Sequence, residues 1–177
     1  WGKTFSDYWN VPSSLPIKPF LLVSCNVGYA NNLRTFGELI KMEDERGRFK
    51  RDSEYLELRI GRTYEDYKKI IEYIKALKYL SENNNNYDIV LRPHPQEDLK
   101  TWKILLQDIP NVHVIRDGPI NVWIKDSFAV MHNSCTSALE TVIQKKPLVT
   151  YVPYEQKYNP TLANELGFKV STKEELK

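Results

Sequence analysis

The fold is decided by residues 128–152, which read FAVMHNSCTSALETVIQKKPLVTYV. The short apolar runs at 128–131 and 148–152 predict two strands. Residues 137–144 between them predict a helix. A strand that leads through a helix to a second strand is typical of a parallel sheet.

The same alternation continues outward from this stretch. The apolar run Phe20–Cys25 follows Pro19 and is typical of a strand buried on both faces. Further strands are predicted at 88–92 and 112–115, and helices at 99–106, from Pro119 through Ile124, and at 162–166 with Gly167 as its C-cap. Together these segments predict an α/β fold, a Rossmann-like parallel sheet flanked by helices on both faces.

The longest helix is predicted from its apolar spacing. Apolar side chains recur every three or four residues between 64 and 80, at Tyr67, Ile70, Ile71, Ile74, Leu77 and Leu80. Thr63 is predicted as its N-cap, with Asp66 as an acidic residue in the first turn. Residues 33–62 are charged and weakly patterned, and a helix is predicted there as well.

Composition narrows the class of protein. The chain has 177 residues, 41% of them hydrophobic, which suffices for one core. Its net charge of +2, with both signs interspersed, argues against a nucleic-acid partner. Two cysteines and no metal-ligand spacing indicate a reduced, cytoplasmic setting without a metal or cofactor. No apolar run approaches the roughly 20 residues of a spanning helix.

Domain organisation follows from the ends of the chain. Residues 1–18 carry two prolines and no clear period, so we interpret them as a linker from a preceding domain. Residues 19–177 are then a single domain. Because the sequence starts abruptly at Trp1 and stops in what resembles a first helical turn, we expect it to be part of a longer protein.

Ligands of parallel α/β sheets bind beyond the carboxyl ends of the strands, so the loops there are the candidate site. The first such loop is Arg92-Pro93-His94-Pro95. Its prolines stiffen the chain, and its guanidinium and imidazole suit an anion such as phosphate. The tetrapeptide fits equally well a histidine that satisfies backbone groups in a tight turn.

Two further loops follow predicted strands. Residues 132–137 hold Asn133, Ser134, Cys135 and Thr136 at a helix start, where backbone N–H groups and hydroxyls can bind an anion. Ordinary N-capping explains the same pattern. Glu140 follows, either as an acceptor for ribose hydroxyls or as a surface carboxylate. The loop 26–31 offers Asn26 for hydrogen bonding and Gly28 for backbone freedom, or is a plain turn.

In their order and spacing these segments resemble a family. The strand before residues 26–31, the segment 91–95 with Trp102 after it, the segment 132–140 and Lys146-Pro147-Leu148 resemble the bacterial surface-carbohydrate (polysaccharide) biosynthesis proteins. More distantly they are similar to capsule-type Kdo transferases, bacterial sialyltransferases and CDP-polyol (CDP-glycerol) phosphotransferases. The resemblance covers residues 20–170.

The resemblance implies the C-terminal, donor-binding half of a GT-B glycosyltransferase. It places a nucleotide phosphate against His94 and against Ser134, Cys135 and Thr136, and it gives ribose binding to Glu140. The implied reaction is an inverting, metal-independent transfer from a CMP-activated sugar of Kdo or nonulosonate type. The catalytic base would come from the other domain, with His94 stabilising the leaving group.

The resemblance also implies partners. These are a nucleotide-sugar donor and a glycan or lipid-linked glycan acceptor, which would bring the full-length cytoplasmic protein to the inner membrane as a peripheral protein.

Other readings are a CDP-polyol phosphotransferase, a UDP-sugar 2-epimerase-like domain, and a non-catalytic nucleotide- or glycan-binding scaffold. A phosphodiester product or an epimerised sugar would distinguish the first two from a glycosyltransferase.

Overall fold

The computed structural model describes residues 18–176, so the predicted linker, apart from Lys18, lies outside the described residues. The strands are β1 Phe20–Cys25, β2 Asp88–Leu91, β3 Val112–Val114, β4 Ala129–Asn133, β5 Leu148–Tyr151 and β6 Phe168–Val170. The helices are α1 Phe36–Glu45, α2 Arg48–Arg51, α3 Tyr55–Glu82, α4 Leu99–Leu105, α5 Ile120–Asp126 and α6 Ser137–Ile143. Short 3₁₀ helices lie at Leu162–Glu165 and Glu174–Leu176.

All six strands form one sheet in the order β3-β2-β1-β4-β5-β6, and every neighbouring pair is parallel. The predicted Rossmann-like parallel sheet is thereby confirmed. β1 is central, and the order reverses between β1 and β4, because the chain first builds outward to β3 and then returns to the other side of β1.

Helices cover both faces of the sheet, as predicted. Side chains of β1 alternate between two cores: Leu21, Val23 and Cys25 pack with α3 and α4, whereas Phe20 and Leu22 pack with α5 and α6. This alternation explains why β1 reads as a continuous apolar run, since both of its faces are buried.

The start of the longest helix was predicted wrongly. α3 begins at Tyr55, so Thr63 lies inside the helix, and its hydroxyl donates to the carbonyl of Arg59 at 3.0 Å instead of capping. Asp66 is fully buried and pairs with Lys69 at 3.4 Å. Two residues of the predicted apolar stripe, Tyr67 and Ile71, are half exposed.

Apart from the helix predicted at 33–62, the other predicted elements agree with the structure within two residues at each end, and the helix predicted at 162–166 is a 3₁₀ helix. Residues 33–62, predicted as one helix, instead hold α1, α2 and the first part of α3. Gly167 has a φ of +79° beside Leu148, where a Cβ would lie 2.6 Å from a carbonyl oxygen. No helix among residues 18–176 is long and apolar enough to cross a membrane.

Candidate functional site

A cavity of about 270 Å³ opens at the carboxyl ends of β1 and β4, where the strand order reverses. We call it the switch cavity. Parallel α/β sheets bind their ligands at such a reversal, because the adjoining loops diverge there and leave a crevice. Its lining comes from the end of β1, from the loops after β2, β3 and β4, and from the first turns of α5 and α6: Ser24, Cys25, Arg92, Pro93, His94, Pro95, Arg116, Gly118, Pro119, Ile120, Cys135, Thr136, Ser137 and Glu140. The structure therefore brings the 92–95 loop and residues 135–140 to one rim of the sheet.

The guanidinium of Arg92 is fixed by hydrogen bonds to backbone carbonyl groups. Its Nη1 and Nη2 donate to the carbonyl oxygens of Asp117 and Gly118 at 2.6 and 2.8 Å, and its guanidinium lies 5.1 Å from the Trp123 ring centre. Burial lowers the pKa of Arg92 to about 10, so the group stays charged at neutral pH. Arg92 thus adds positive charge to the cavity while anchoring the loop that follows β3.

His94 faces the cavity as a neutral donor. The backbone N–H of Gln96 donates to His94 Nδ1 at 3.3 Å, so the neutral ring carries its proton on Nε2. Burial, and then the nearby Arg116, lower the pKa of His94. At neutral pH the ring therefore offers an N–H, and the positive charge comes from the two arginines.

Arg116 is a cavity residue that the sequence reasoning missed. Its Nη1 donates to the carbonyl oxygens of His94, Pro95 and Glu97 at 3.1, 3.3 and 2.8 Å, which fixes the shape of the 94–97 loop. The available signal was its position: Arg116 follows β3 by two residues, at the same carboxyl edge as the predicted loops.

Asn133 and Ser134 lie outside the switch cavity. Asn133 is fully buried and donates to the carbonyl of Tyr151 at 2.7 Å. Ser134 has a φ of +56°; its N–H donates to Asn164 Oδ1 at 2.7 Å and its hydroxyl to Asn133 Oδ1 at 2.8 Å. The N–H and the hydroxyl of Ser134 therefore both have acceptors within the protein, and the left-handed turn at Ser134 directs them away from the cavity.

The next three residues reach the cavity instead. The Ser137 hydroxyl lies 2.8 Å from that of Ser24 and 3.1 Å from Cys135 Sγ, so these side chains bond to one another in the cavity lining. Thr136 is exposed, and its side chain makes no capping hydrogen bond to α6. Within residues 18–176, no acceptor pairs with the N–H groups of Cys135, Thr136 or Ser137.

Of the remaining predicted residues, Glu140 lines the switch cavity, whereas Asn26 and Gly28 of the loop 26–31 do not. Glu140 is half-buried, and burial raises its pKa. Asn26 and Gly28 line a second cavity on the other side of β1's loop. Gly28 has no positive φ, so its predicted backbone freedom is not used.

A buried polar network, also missed from the sequence, shapes the loop after β1. Glu97 accepts from the N–H of Val27 at 3.1 Å and from Trp102 Nε1 at 2.7 Å. Asp66 accepts from the N–H of Tyr29 at 2.9 Å, and Lys69 donates to the carbonyl of Asn26 at 2.8 Å. This network fixes the backbone that separates the two cavities.

The fold and the site define a class: a Rossmann-like α/β domain with a partly basic cavity at its switch point. No group of His, Cys, Asp and Glu side chains in the described part of the chain is arranged to hold a metal ion. No protein-family model matches the chain. A search of curated proteins likewise finds no match.

Two solved structures are similar to the chain in fold. One is the co-structure of S. aureus MnaA with UDP, at a TM-score of 0.42 and 11% identity, covering 81% of this chain and 30% of that one. The other is Thermosulfurimonas dismutans KpsC, a β-Kdo 2,7 transferase, at 0.44 and 16%, covering 95% of this chain and 43% of that one. The chain spans less than half the length of either protein. Nothing about the site follows from likenesses this distant.

Proposed function

We propose that this chain is the donor-binding domain of a GT-B-type glycosyltransferase of bacterial surface polysaccharide biosynthesis, and that the switch cavity holds the nucleotide of a CMP-activated sugar. One observation carries the proposal. His94 is separated in the sequence from Thr136 and Glu140 by two helices and two strands, yet all three residues line one cavity at the strand reversal. Each offers the type of hydrogen bond that a nucleotide monophosphate requires.

The phosphate is assigned to the side of the cavity formed by the loops after β2 and β3. Arg92 and Arg116 supply positive charge there, and His94 Nε2–H has no acceptor among residues 18–176. The Thr136 hydroxyl, at the start of α6, donates to no group in the same part of the chain. Donors that are already in place stabilise the charge that develops on a departing phosphate, because they need not reorganise during the reaction.

The ribose is assigned to Glu140. Thr136 and Glu140 are four residues apart in helical backbone, so they share one face of α6. A phosphate beside Thr136 would place the adjoining ribose hydroxyls near the Glu140 carboxylate, which can accept from them. The domain would bind and orient the donor, and the base of an inverting, metal-independent transfer would come from the rest of the protein.

The test is calorimetric titration of the chain with CMP, CDP, UDP and GDP. We expect CMP and CDP to bind, and His94→Ala to weaken binding by about 1–3 kcal/mol through loss of a hydrogen bond to a charged group. His113→Ala is the matched control, because His113 is a partly exposed histidine on β3 that lies outside the switch cavity.

Three outcomes would count against parts of the proposal. Binding of UDP alone would overturn the CMP preference. Equal affinities for the wild type and His94→Ala would remove the histidine from the site. Failure of all four nucleotides to bind would overturn the donor-binding role itself.

A further inference from the structure

The second cavity, of about 330 Å³, lies between the loop after β1 and the helices α1 and α3. We call it the arginine cavity, because Arg34, Arg46 and Arg59 all line it. It adjoins the switch cavity: Cys25 and Asn26 are consecutive residues, and each lines one of the two. The proposed nucleotide site does not use it.

Arg59 is the unusual group in this cavity. Its side chain lies 4.2 Å over the ring of Tyr29, and the residue is only 3% exposed. Among residues 18–176 it forms no ion pair; Nη1 donates to the Thr63 hydroxyl at 3.3 Å, and Nε is buried without an acceptor. The carboxylates of Glu43 and Asp66 attract the Arg59 charge without forming an ion pair with it. A buried charge that contacts no opposite charge is costly, and an anion in the cavity would offset that cost.

The other charges in the lining leave an excess of positive charge. Glu43 is buried there, but Arg48 Nε lies 3.0 Å from its carboxylate and neutralises it. Arg34 and Arg46 are exposed, and their side chains make no hydrogen bond or ion pair to the described part of the chain. Both are therefore available to a ligand.

We propose that the arginine cavity binds an anionic group of a small ligand, either a carboxylate or a phosphate, with Arg59 as its buried partner and Arg34 and Arg46 at the entrance. A guanidinium presents several N–H donors in one plane, which matches the paired oxygens of both groups. This assignment stands apart from the proposed function, since its residues and ligand differ.

The experiment measures anion binding to the 177-residue chain by calorimetry at constant ionic strength, with and without CMP. Glucuronate probes a sugar carboxylate, inorganic phosphate probes a phosphate, and glucose is the neutral control. We expect at least one anion to bind and glucose not to bind, and the tighter anion identifies the chemical source. CMP should not displace it, because the two cavities are separate.

Arg59→Gln and Arg46→Gln should each weaken that anion about tenfold, the equivalent of one hydrogen bond to a charged group. Lys50→Gln removes the same charge from an exposed position on α2 outside the cavity and should leave the affinity unchanged. Should Arg59→Gln fail to fold, Arg46→Gln and Arg34→Gln still decide, because both side chains are exposed.

Two results would overturn the assignment: no binding of either anion, or binding that survives in the arginine variants but is lost in His94→Ala. The second result would move the anion to the switch cavity and leave the proposed function intact. If nucleotides fail to bind while anion binding is retained, the proposed function is overturned and the arginine cavity assignment stands.

Discussion

Glu97 and His132 are fully buried, and each has a displaced pKa. Burial raises the pKa of Glu97 from 4.5 to about 7, against hydrogen bonds from Trp102 and Val27. His132 Nε2 lies 2.8 Å from the Thr150 hydroxyl, which itself donates to the carbonyl of Leu166. Nε2 therefore carries the proton, Nδ1 has no partner among residues 18–176, and burial lowers the pKa of His132 from 6.5 to about 4.

These two groups give stability opposite pH dependences. At a pH between the unfolded and folded pKa values of Glu97, the folded protein binds one more proton than the unfolded chain. The free energy of unfolding therefore falls as pH rises from about 4.5 to 7. Unfolded His132 holds an extra proton, so stability rises with pH from about 4 to 6.5. Each slope is at most about 1.4 kcal/mol per pH unit, and the two nearly cancel from about pH 4.5 to 6.5.

Removing one group should expose the slope of the other. For Glu97→Gln we expect the free energy of unfolding to rise with pH relative to wild type between pH 5 and 6.5. For His132→Gln we expect it to fall over the same range. Urea denaturation at three pH values measures both slopes, and each variant serves as the control for the other. Parallel curves for all three proteins would contradict this account of the two pKa values.

The lining of the switch cavity was only partly predictable residue by residue. His94, Thr136 and Glu140 could be found because a loop that follows a parallel strand must emerge at the carboxyl edge. Ser134 could not be separated from Thr136, because a left-handed φ at one position decides which hydroxyl faces inward. Arg59 gives no signal in sequence at all, since its burial depends on Tyr29, thirty residues away.

Helix α3 shows the same limit at the scale of elements. Its second half packs on the sheet and has an apolar stripe, which the sequence analysis found. In its first half Leu56 and Ile60 are exposed, so the sequence there has no apolar stripe that would predict a helix. This half of the helix contacts a loop that is distant in the sequence. Glu65 Oε1 accepts from the N–H groups of Lys157 and Tyr158 at 2.6 and 2.9 Å. β6 was missed because its three residues form no apolar run and only Val170 is buried.

Because α3 contacts that loop, a side chain larger than glycine would clash at position 61. Glycine inside a helix normally costs about 1 kcal/mol relative to alanine. A Cβ at Gly61, however, would lie 2.5 Å from the ring of Tyr158. We therefore expect Gly61→Ala to destabilise the protein by about 1–3 kcal/mol in urea denaturation, as overpacking does elsewhere.

Gly37 in α1 is the matched control, because a Cβ there would meet nothing within 4 Å. Gly37→Ala should be neutral or stabilise by up to about 1 kcal/mol. Combining Gly61→Ala with Tyr158→Ala should recover part of the loss, since the double variant has no clash. Stabilisation by Gly61→Ala alone would show that the loop yields without cost.

At the scale of the whole molecule, the strand order determines which loops meet. The alternation of strands and helices predicted a parallel sheet, and hence one edge for all the loops. It did not predict that β1 and β4, more than a hundred residues apart, are neighbours. That pairing places Cys25 at the end of β1 and Cys135 just after β4, so both cysteines of the chain line the switch cavity.

The Cys135 thiol therefore reports on occupancy of the switch cavity. Cys25 is 1% exposed, whereas Cys135 is partly exposed, so we expect N-ethylmaleimide to label Cys135 in the folded protein and Cys25 only after unfolding. A bound nucleotide should slow labelling of Cys135, because it covers the thiol. Glucuronate or phosphate in the arginine cavity should not. Mass spectrometry of the labelled peptides measures both rates. A nucleotide that raises thermal stability without protecting Cys135 would have to bind away from the β1–β4 reversal, and the geometric argument for the donor site would then fail.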